Sequence, residues 1–155
     1  WKRACAFADD WILAIPSHAF REQLLALKPL NNGQKRIISV SKGLDPVSNR
    51  FLHQVIYEIL GEISEFAVVG GPSFAKEVAS HLPTAVIIGS SSPSFLEYLV
   101  NSFRNQKFRV YSTDDVVGIE IGGILKNIYA IATGISDGLN LGANARSALI
   151  TRALA

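Results

Sequence analysis

The sequence predicts an α/β fold in which a mostly parallel, doubly wound sheet is followed by the start of an all-helical domain. Between residues 11 and 112, five short apolar runs alternate with segments of helical periodicity, which is the pattern of strands joined by crossover helices. After residue 114, two helical segments follow each other with no strand between them. We therefore expect one domain over residues 1–113 and a second over 114–155.

The predicted strands are short runs rich in Val, Ile and Phe. They cover residues 11–15, 36–41, 66–69, 84–88 and 108–111. The first run contains no polar residue and is closed by Pro16, which is typical of a strand buried on both faces. The carboxyl ends of parallel strands meet at one rim of a sheet, so the segments that follow the first three strands are expected to lie together.

Helices are predicted between these strands from apolar residues three or four positions apart. The expected boundaries are Ser17 as a cap, a stop at Lys28 and Pro29, Pro46 as an opening residue, Gly61 as a stop, Ser73 as a cap, and a helix over 94–104. A longer helix is expected to start at Asp114 and Asp115. Residues 134–144 are predicted to form a loop, and the last helix to begin near Ala145.

The long helix carries an apolar stripe on one face and a single cation on another. The stripe consists of Val117, Ile121, Ile124, Ile128, Ile131 and Ile135. The small residues around Lys126 are Gly122, Gly123, Ala130, Thr133 and Gly134. A glycine inside a helix costs up to about 1 kcal/mol relative to alanine, so a close approach by a ligand or another backbone is expected here. The alternative is a packing face from which Lys126 extends to solvent.

The rim of the predicted sheet has the composition of an anion site. The segments after the first three strands are 16–18, Lys42 with Gly43, and 70–73. They provide a cation, small residues that admit a ligand to the backbone, and a helix start, all of which suit a phosphate. A half-buried Lys126 facing this rim would have a pKa lowered toward neutrality and could exchange a proton with a carbonyl or alcohol oxygen. The residues therefore predict a two-domain oxidoreductase or phosphate-binding enzyme.

Composition excludes several other classes. With 48% hydrophobic and 18% charged residues the chain is expected to be globular, and its net charge of +2 is too small and scattered to predict nucleic acid as a partner. No apolar run approaches the length of a membrane span. The single cysteine, Cys5, fits a reducing compartment, and His53 and His81 lack acidic or cysteine neighbours at ligand spacing, so no metal site is expected. The lack of methionine and a helical pattern still running at Ala155 predict an internal piece of a longer protein.

Seven motifs, in order from about residue 11 to the end, resemble those of the bacterial NAD(P)-dependent glycerol-3-phosphate dehydrogenases. They are IPSHAF at 15–20, SKGL at 41–44, GPSFAKE at 71–77, LPTA at 82–85, FRVY at 108–111, LKN at 125–127 and GANARSALITR at 142–152. The resemblance implies a partial Rossmann-like domain and NAD or NADP as cofactor. It also implies reversible reduction of dihydroxyacetone phosphate to sn-glycerol 3-phosphate, which supplies phospholipid synthesis in the cytoplasm, and it allows a homodimeric full-length protein.

The same resemblance implies roles for individual residues. Lys126 matches the family's proton acceptor, Lys42, Gly71, Ser73 and Asn127 match substrate contacts, and Phe20, Lys42 and Ala75 match cofactor contacts. Ser73 stands where many members of the family have threonine, and it keeps the hydroxyl group.

Two parts of the family's pattern do not occur in the printed sequence: the glycine-rich G-x-G-x-x-G loop and the downstream helical region. The 155-residue chain expressed alone is therefore expected to be inactive. The alternatives are a related two-domain dehydrogenase for a hydroxy acid or hydroxyacyl thioester, and a non-catalytic folded fragment. The first of these is disfavoured by the occurrence of Lys42–Gly43 together with the LKN motif.

Overall fold

The computed structural model describes residues 2–61 and 63–154. The strands are β1 (Asp10–Leu13), β2 (Arg36–Ser39), β3 (Glu65–Gly70), β4 (Thr84–Gly89) and β5 (Phe108–Thr113). The helices are α1 (Lys2–Phe7), α2 (Ser17–Leu27), α3 (Leu52–Leu60), α4 (Ala75–Ala79), α5 (Pro93–Phe103), α6 (Val116–Gly138) and α7 (Gly142–Leu154), with a short 3-10 helix at Lys28–Leu30.

The strands form one sheet in the order β1-β2-β3-β4-β5. Pairing is parallel throughout except between β3 and β4, which run antiparallel. The predicted α/β class with a mostly parallel sheet is confirmed. The antiparallel pair was not predicted, and its cause is the connection between the two strands. That connection contains only the five-residue α4, whereas a parallel crossover usually contains a full-length helix.

Helices cover both faces of the sheet, because successive strand residues point to opposite sides. In β3, Phe66 and Val68 join the core formed with α2 and α3, while Ala67 joins the core formed with α5. The buried side chains of α2 include Phe20 and Leu24, which are fully enclosed. The sheet is thereby held rigid, and its rim can support a site.

One predicted helix start and two predicted helix caps are wrong. The helix expected to open at Pro46 begins at Leu52, because residues 45–51 form a loop closed by a bridge between Leu44 and Phe51. Neither Ser17 nor Ser73 caps a helix with its side chain: Ser17 is the first residue of α2, and the N-cap of α4 is Phe74. Helix α2 therefore begins at Ser17 itself, and α4 begins two residues after Ser73.

The start of α6 is confirmed, since the Asp115 side chain accepts a hydrogen bond from the N–H of Gly118 at 2.8 Å. The predicted loop at 134–144 is wrong. Helix α6 continues to Gly138 and α7 begins at Gly142, so only residues 139–141 connect them. Asn140 adopts the left-handed conformation at φ 54°, which allows this tight reversal.

Most of the apolar stripe of α6 is exposed in this chain, with relative exposures of 39% at Ile121 and 65% at Ile131. By length and composition α6 is also a candidate membrane span, although no membrane span was predicted from the sequence. That evidence is weak, because Ile119 and the buried carboxylate of Glu120 hold the first turns of α6 against the α/β core. A helix attached in this way fits a globular fold better than a lipid-exposed one.

Candidate active site

Lys42 lies in the turn that follows β2, and the turn is packed against the start of α2. Gly43 has φ +123°, and a Cβ built there would lie 2.8 Å from the Oγ of Ser17. Both observations require glycine at this position. Lys42, beside it, is partly buried.

The same turn is bonded to α2 by ion pairs, which are centred on the buried carboxylate of Asp45 and the guanidinium group of Arg21. Asp45 is 1% exposed and accepts hydrogen bonds from Arg21 Nε at 3.0 Å and Arg21 Nη2 at 2.9 Å. Ser48 Oγ donates to the same carboxylate oxygen at 2.6 Å, and Arg21 Nη1 donates to Glu58 at 2.8 Å. The hydrogen bonds from Arg21 lower the pKa of Asp45 to about 2. The segment that carries Lys42 is therefore held at a fixed position.

Helix α6 approaches the sheet through Ile119, which enters a pocket formed by Gly70 at the end of β3 and Gly89 at the end of β4. We call this the glycine pocket. A Cβ on Gly70 would lie 2.6 Å from Ile119 Cγ2, and a Cβ on Gly89 would lie 2.6 Å from Ile119 Cδ1. Real side chains do not approach so closely, so the pocket exists only because both positions lack a side chain.

Lys126 follows Ile119 by two turns and therefore lies on the same side of α6. Its side chain is exposed, and its Nζ lies 5.5 Å from the centroid of the Phe74 ring. The prediction of a half-buried Lys126 is wrong for this chain, because most of the surface around it is open. The pKa of Lys42 is lowered, first by burial and second by the positive charge of Lys126.

The two lysines face one groove of about 570 Å³. Its other walls include Gly70, Gly71, Thr113 and Asp115. Gly71 has φ +104°, and a Cβ there would lie 3.1 Å from the carbonyl oxygen of Ala85, so this part of the wall also requires glycine. A groove with two cations and exposed backbone can hold a small phosphorylated molecule.

Among the three glycines on the face of α6 around Lys126, only one has another side chain beside it. A Cβ on Gly123 would lie 3.6 Å from Lys42 Cγ, which shows that the stem of Lys42 approaches the helix there. A Cβ on Gly122 or Gly134 would have no neighbour within 4 Å. The neighbour at Gly123 is thus a side chain at ordinary contact distance, and no close approach by another backbone is found, among the described residues, at any of the three glycines.

The remaining predicted site residues do not all share the groove. Ser73 and Ala75 line a neighbouring apolar cavity of about 370 Å³. Asn127 is exposed on α6 and is not among the residues lining either cavity. Phe20 is fully buried in the core on the α2 side of the sheet. The structure therefore brings together Lys42, Gly71 and Lys126, with the segment that carries Ser73 beside them.

Sequence reasoning missed a hydrogen-bonded contact between the two predicted domains. Glu120 is 7% exposed, and its Oε1 accepts a hydrogen bond from the backbone N–H of His53 at 3.1 Å. Its second oxygen pairs with Nδ1 of the same histidine. The two residues are 67 positions apart, so no linear spacing could show that His53 has an acidic neighbour. Within residues 2–61 and 63–154, no three acidic, histidine or cysteine side chains are grouped as a metal site.

Comparison with known families decides what kind of chain carries this groove. The family model for the N-terminal part of NAD-dependent glycerol-3-phosphate dehydrogenase matches residues 1–96, and the model for its C-terminal part matches residues 115–155. The chain belongs to the NAD-dependent glycerol-3-phosphate dehydrogenase family.

Individual members of this family are similar over almost the whole chain. It is 49% identical to glycerol-3-phosphate dehydrogenase [NAD(P)+] of Thioalkalivibrio sulfidiphilus, over 94% of this chain and 44% of that protein. It is also 49% identical to the enzyme of the same name from Stenotrophomonas maltophilia strain K279a, over 93% of this chain and 42% of that protein. The chain thus spans less than half the length of these relatives.

Solved structures of the family have the same fold. The crystal structure of glycerol-3-phosphate dehydrogenase from Coxiella burnetii superimposes with a TM-score of 0.91 at 48% identity, over 99% of this chain and 46% of that one. The Saccharomyces cerevisiae enzyme gives a TM-score of 0.86 at 26% identity, over 98% of this chain and 46% of that one. These likenesses confirm the Rossmann-like assignment.

Proposed function

We propose that this chain contributes the two lysines of an NAD(P)-dependent glycerol-3-phosphate dehydrogenase site, which interconverts dihydroxyacetone phosphate and sn-glycerol 3-phosphate. The supporting observation is that Lys42, from the rim of the sheet, and Lys126, from helix α6, face the same groove. Each lysine comes from a different structural unit, so the groove has two cations that can act on one ligand. A packing face would not need that arrangement.

The described residues include an apolar cavity at the rim of the sheet, of a size that suits the nicotinamide ring of the cofactor. This cavity, lined by Ser73 and Ala75, lies on the opposite face of the sheet from the groove, because Val69 of the cavity and Gly70 of the groove are consecutive residues of β3, and the segment 71–75 joins the two at the rim. NAD or NADP, when bound, supplies or accepts the hydride of the reaction. The loop that holds the pyrophosphate in Rossmann-like folds is not in the printed sequence, and the fit concerns the nicotinamide end alone.

The lysines have different environments and, in this proposal, different roles. Lys42 is partly buried and its stem lies against Gly123, so its ammonium group is suited to orient a bound phosphorylated substrate. Lys126 is exposed beside Phe74, where its ammonium group can donate a proton to the carbonyl oxygen as that oxygen becomes an alcohol. Its contact with solvent lets it recover the proton from water. In the reverse direction the neutral amine accepts the alcohol proton.

Further parts of the proposal have less direct support. We place the boundary between the dinucleotide-binding and helical domains at residues 113–114, supported by the two family models on either side of it. Asn127 and Gly71 complete the substrate contacts and Ala75 contributes to the cofactor side, whereas Phe20, which is fully enclosed in the core, supports the rim from within. A cytoplasmic role in making phospholipid precursors, and a homodimeric full-length protein, follow from the resemblance to the family.

A chimeric enzyme tests the central proposal. The segment of the Thioalkalivibrio sulfidiphilus enzyme that matches this chain is replaced by the chain, and oxidation of NADH and NADPH is measured with dihydroxyacetone phosphate. We expect turnover, and we expect Lys126→Met to lower kcat by about 10²- to 10⁴-fold, the usual contribution of a general acid. Lys107→Met, which changes an exposed lysine in the turn before β5, is the matched control.

Two results would count against the proposal. One is an unsubstituted chimera that folds but does not turn over dihydroxyacetone phosphate. The other is a Lys126→Met chimera whose kcat stays within ten-fold of the unsubstituted protein.

A further inference from the structure

We propose that Glu120 is a positioning residue, which fixes the orientation of α6 through His53 and thereby holds Lys126 next to Lys42. Its significance for catalysis rests on the function proposed above, whereas the positioning itself is a property of this chain alone. Glu120 touches neither lysine in any hydrogen bond of the described residues, so it would act through the helix that carries it.

The first observation is the pair of groups to which Glu120 is hydrogen-bonded. Its carboxylate accepts a hydrogen bond from the backbone N–H of His53 in the first turn of α3, where the unpaired N–H groups of a helix favour an anion. The His53 ring, which holds the second oxygen, stacks on Phe51 at a centroid distance of 5.8 Å and tilts against Phe66 at 6.3 Å. The imidazole therefore has little freedom, and a carboxylate held by it is fixed in direction as well as distance.

The second observation is the place of Glu120 on α6. Its neighbour Ile119 occupies the glycine pocket, and Gly123, one turn further on, meets the stem of Lys42. Glu120 itself lines a narrow space shared with Ser41, Lys42 and Gly43. Lys126 follows Glu120 by about 9 Å along the helix axis. A rotation or tilt of α6 at Glu120 would consequently change the separation of the two lysines.

The two anchors of α6 constrain different motions. Ile119 sets how close the helix comes to the sheet, but an apolar contact is not directional and leaves rotation about the helix axis less restricted. The hydrogen bonds of Glu120 are directional and weaken steeply when misaligned. Glu120 is thus the residue suited to fix the rotation that points Lys126 into the groove.

The pKa of Lys42 reports how α6 is seated, because it is lowered first by burial and second by the charge of Lys126, and the stem of Lys42 meets that helix while Lys126 lies on it. We would measure this pKa by NMR titration of the lysine side chains in the 155-residue chain and in its variants. Loss of a nearby carboxylate would by itself lower the pKa of a lysine. Release of α6, which takes Lys126 away, would raise it. The sign of the change therefore separates the two effects.

We expect Glu120→Ala to raise the pKa of Lys42, in the same direction as Lys126→Met, and to raise it by less when added to Lys126→Met, because only the burial of Lys42 by α6 is then left to lose. Glu120→Gln keeps an acceptor for the His53 N–H and an amide that can pair with the ring, so its Lys42 pKa should stay near that of the unsubstituted chain. An unchanged or lower pKa in Glu120→Ala would overturn the proposal, and so would a rise of the same size in the Lys126→Met background, since that rise would not involve Lys126.

If Glu120→Ala does not fold, His53→Ala decides, because it removes only the imidazole partner and leaves the backbone N–H. A smaller rise in the Lys42 pKa supports the proposal, and no rise overturns it. The titration needs no turnover. Failure of the dehydrogenase assay with a normal Lys42 response would therefore reject the proposed function and leave the positioning intact, and the converse result would do the opposite.

Discussion

The glycine pocket around Ile119 permits an atom-by-atom prediction about how α6 is attached to the sheet. Gly70→Ala would place a methyl carbon 2.6 Å from Ile119 Cγ2, about 1 Å inside normal carbon–carbon contact. Cγ2 is bonded directly to Cβ and can move away only by a change in χ1, for which isoleucine in a helix has one strongly preferred value, or by a shift of the helix. We expect a cost of about 2–3 kcal/mol from overpacking. Reduced freedom of the unfolded chain would offset about 0.4–1 kcal/mol of this.

Gly89→Ala should cost less, although its methyl group would come equally close to Ile119. The atom it meets is Ile119 Cδ1, the end of the side chain, which can rotate aside at a cost of about 0.5–1.5 kcal/mol. Ile119→Val removes Cδ1 and keeps Cγ2. It should therefore relieve the strain of Gly89→Ala but not that of Gly70→Ala, beyond its own cost of about 0.5–1.5 kcal/mol.

Urea unfolding followed by circular dichroism measures these free energies, provided that the transitions are two-state. The comparison consists of two double-mutant cycles that share Ile119→Val. We expect a favourable coupling with Gly89→Ala and none with Gly70→Ala. Equal coupling in both cycles, or a Gly70→Ala variant as stable as the unsubstituted chain, would refute the close packing of Ile119 against the sheet.

Three other predictions concern residues that line the groove or hold its walls in place. The pKa of Asp45 is about 2 in the folded chain against 3.8 for a free side chain, so its ion pair with Arg21 stabilises the fold above about pH 4 and loses that effect as the pH falls toward 2. The difference in unfolding free energy between the unsubstituted chain and Asp45→Asn, measured by urea titration at several pH values, should shrink over that range, and a constant difference would contradict the assignment. Gly122→Ala should raise stability by about 0.5–1 kcal/mol in the same assay, since its Cβ meets nothing within 4 Å; a loss would mean that another group lies there. Gly123→Leu should lower kcat/KM of the chimera at least ten-fold, because a branched side chain would collide with Lys42, whereas Gly123→Ala, at ordinary contact distance, is its control.

The strands were predictable because the information that defines them is local. Each apolar run is bounded by turn residues or charges, and all five observed strands overlap the expected ones. The information that determines the start of α3 is not local in this sense. Residues 45–51 form a loop because Asp45 bonds to Arg21, which comes from a different helix, and no propensity within the segment shows that partner.

The length of α6 was mispredicted for a related reason. Glycine, asparagine and serine between 134 and 144 favour a loop on propensity alone, but Gly134 and Ser136 continue the helix. Propensity differences of about 1 kcal/mol per residue are outweighed when a long helix packs against a neighbour, as α6 packs against α7.

The features of the site were likewise predictable only in part. Lys126 among small residues and Lys42 before Gly43 are visible in the sequence, and the resemblance to a family assigned both of them roles. The sequence does not show which lysine is buried, and the prediction that Lys126 is the half-buried one is wrong. Burial depends on the surface that other segments cover, and here Lys42 is partly covered while Lys126 is open.

The sequence by itself therefore determined the α/β class, the order of the strands along the chain, the family and the two lysines. Only the tertiary structure decided the antiparallel β3–β4 pairing, the glycine pocket for Ile119, and the contact of Glu120 with His53 that holds α6 in place. The physical reason is that hydrophobic periodicity and turn chemistry act between near neighbours. The groove that the two lysines face is instead built from segments far apart in the chain, and contacts such as that of His53 with Glu120 form only when the chain folds.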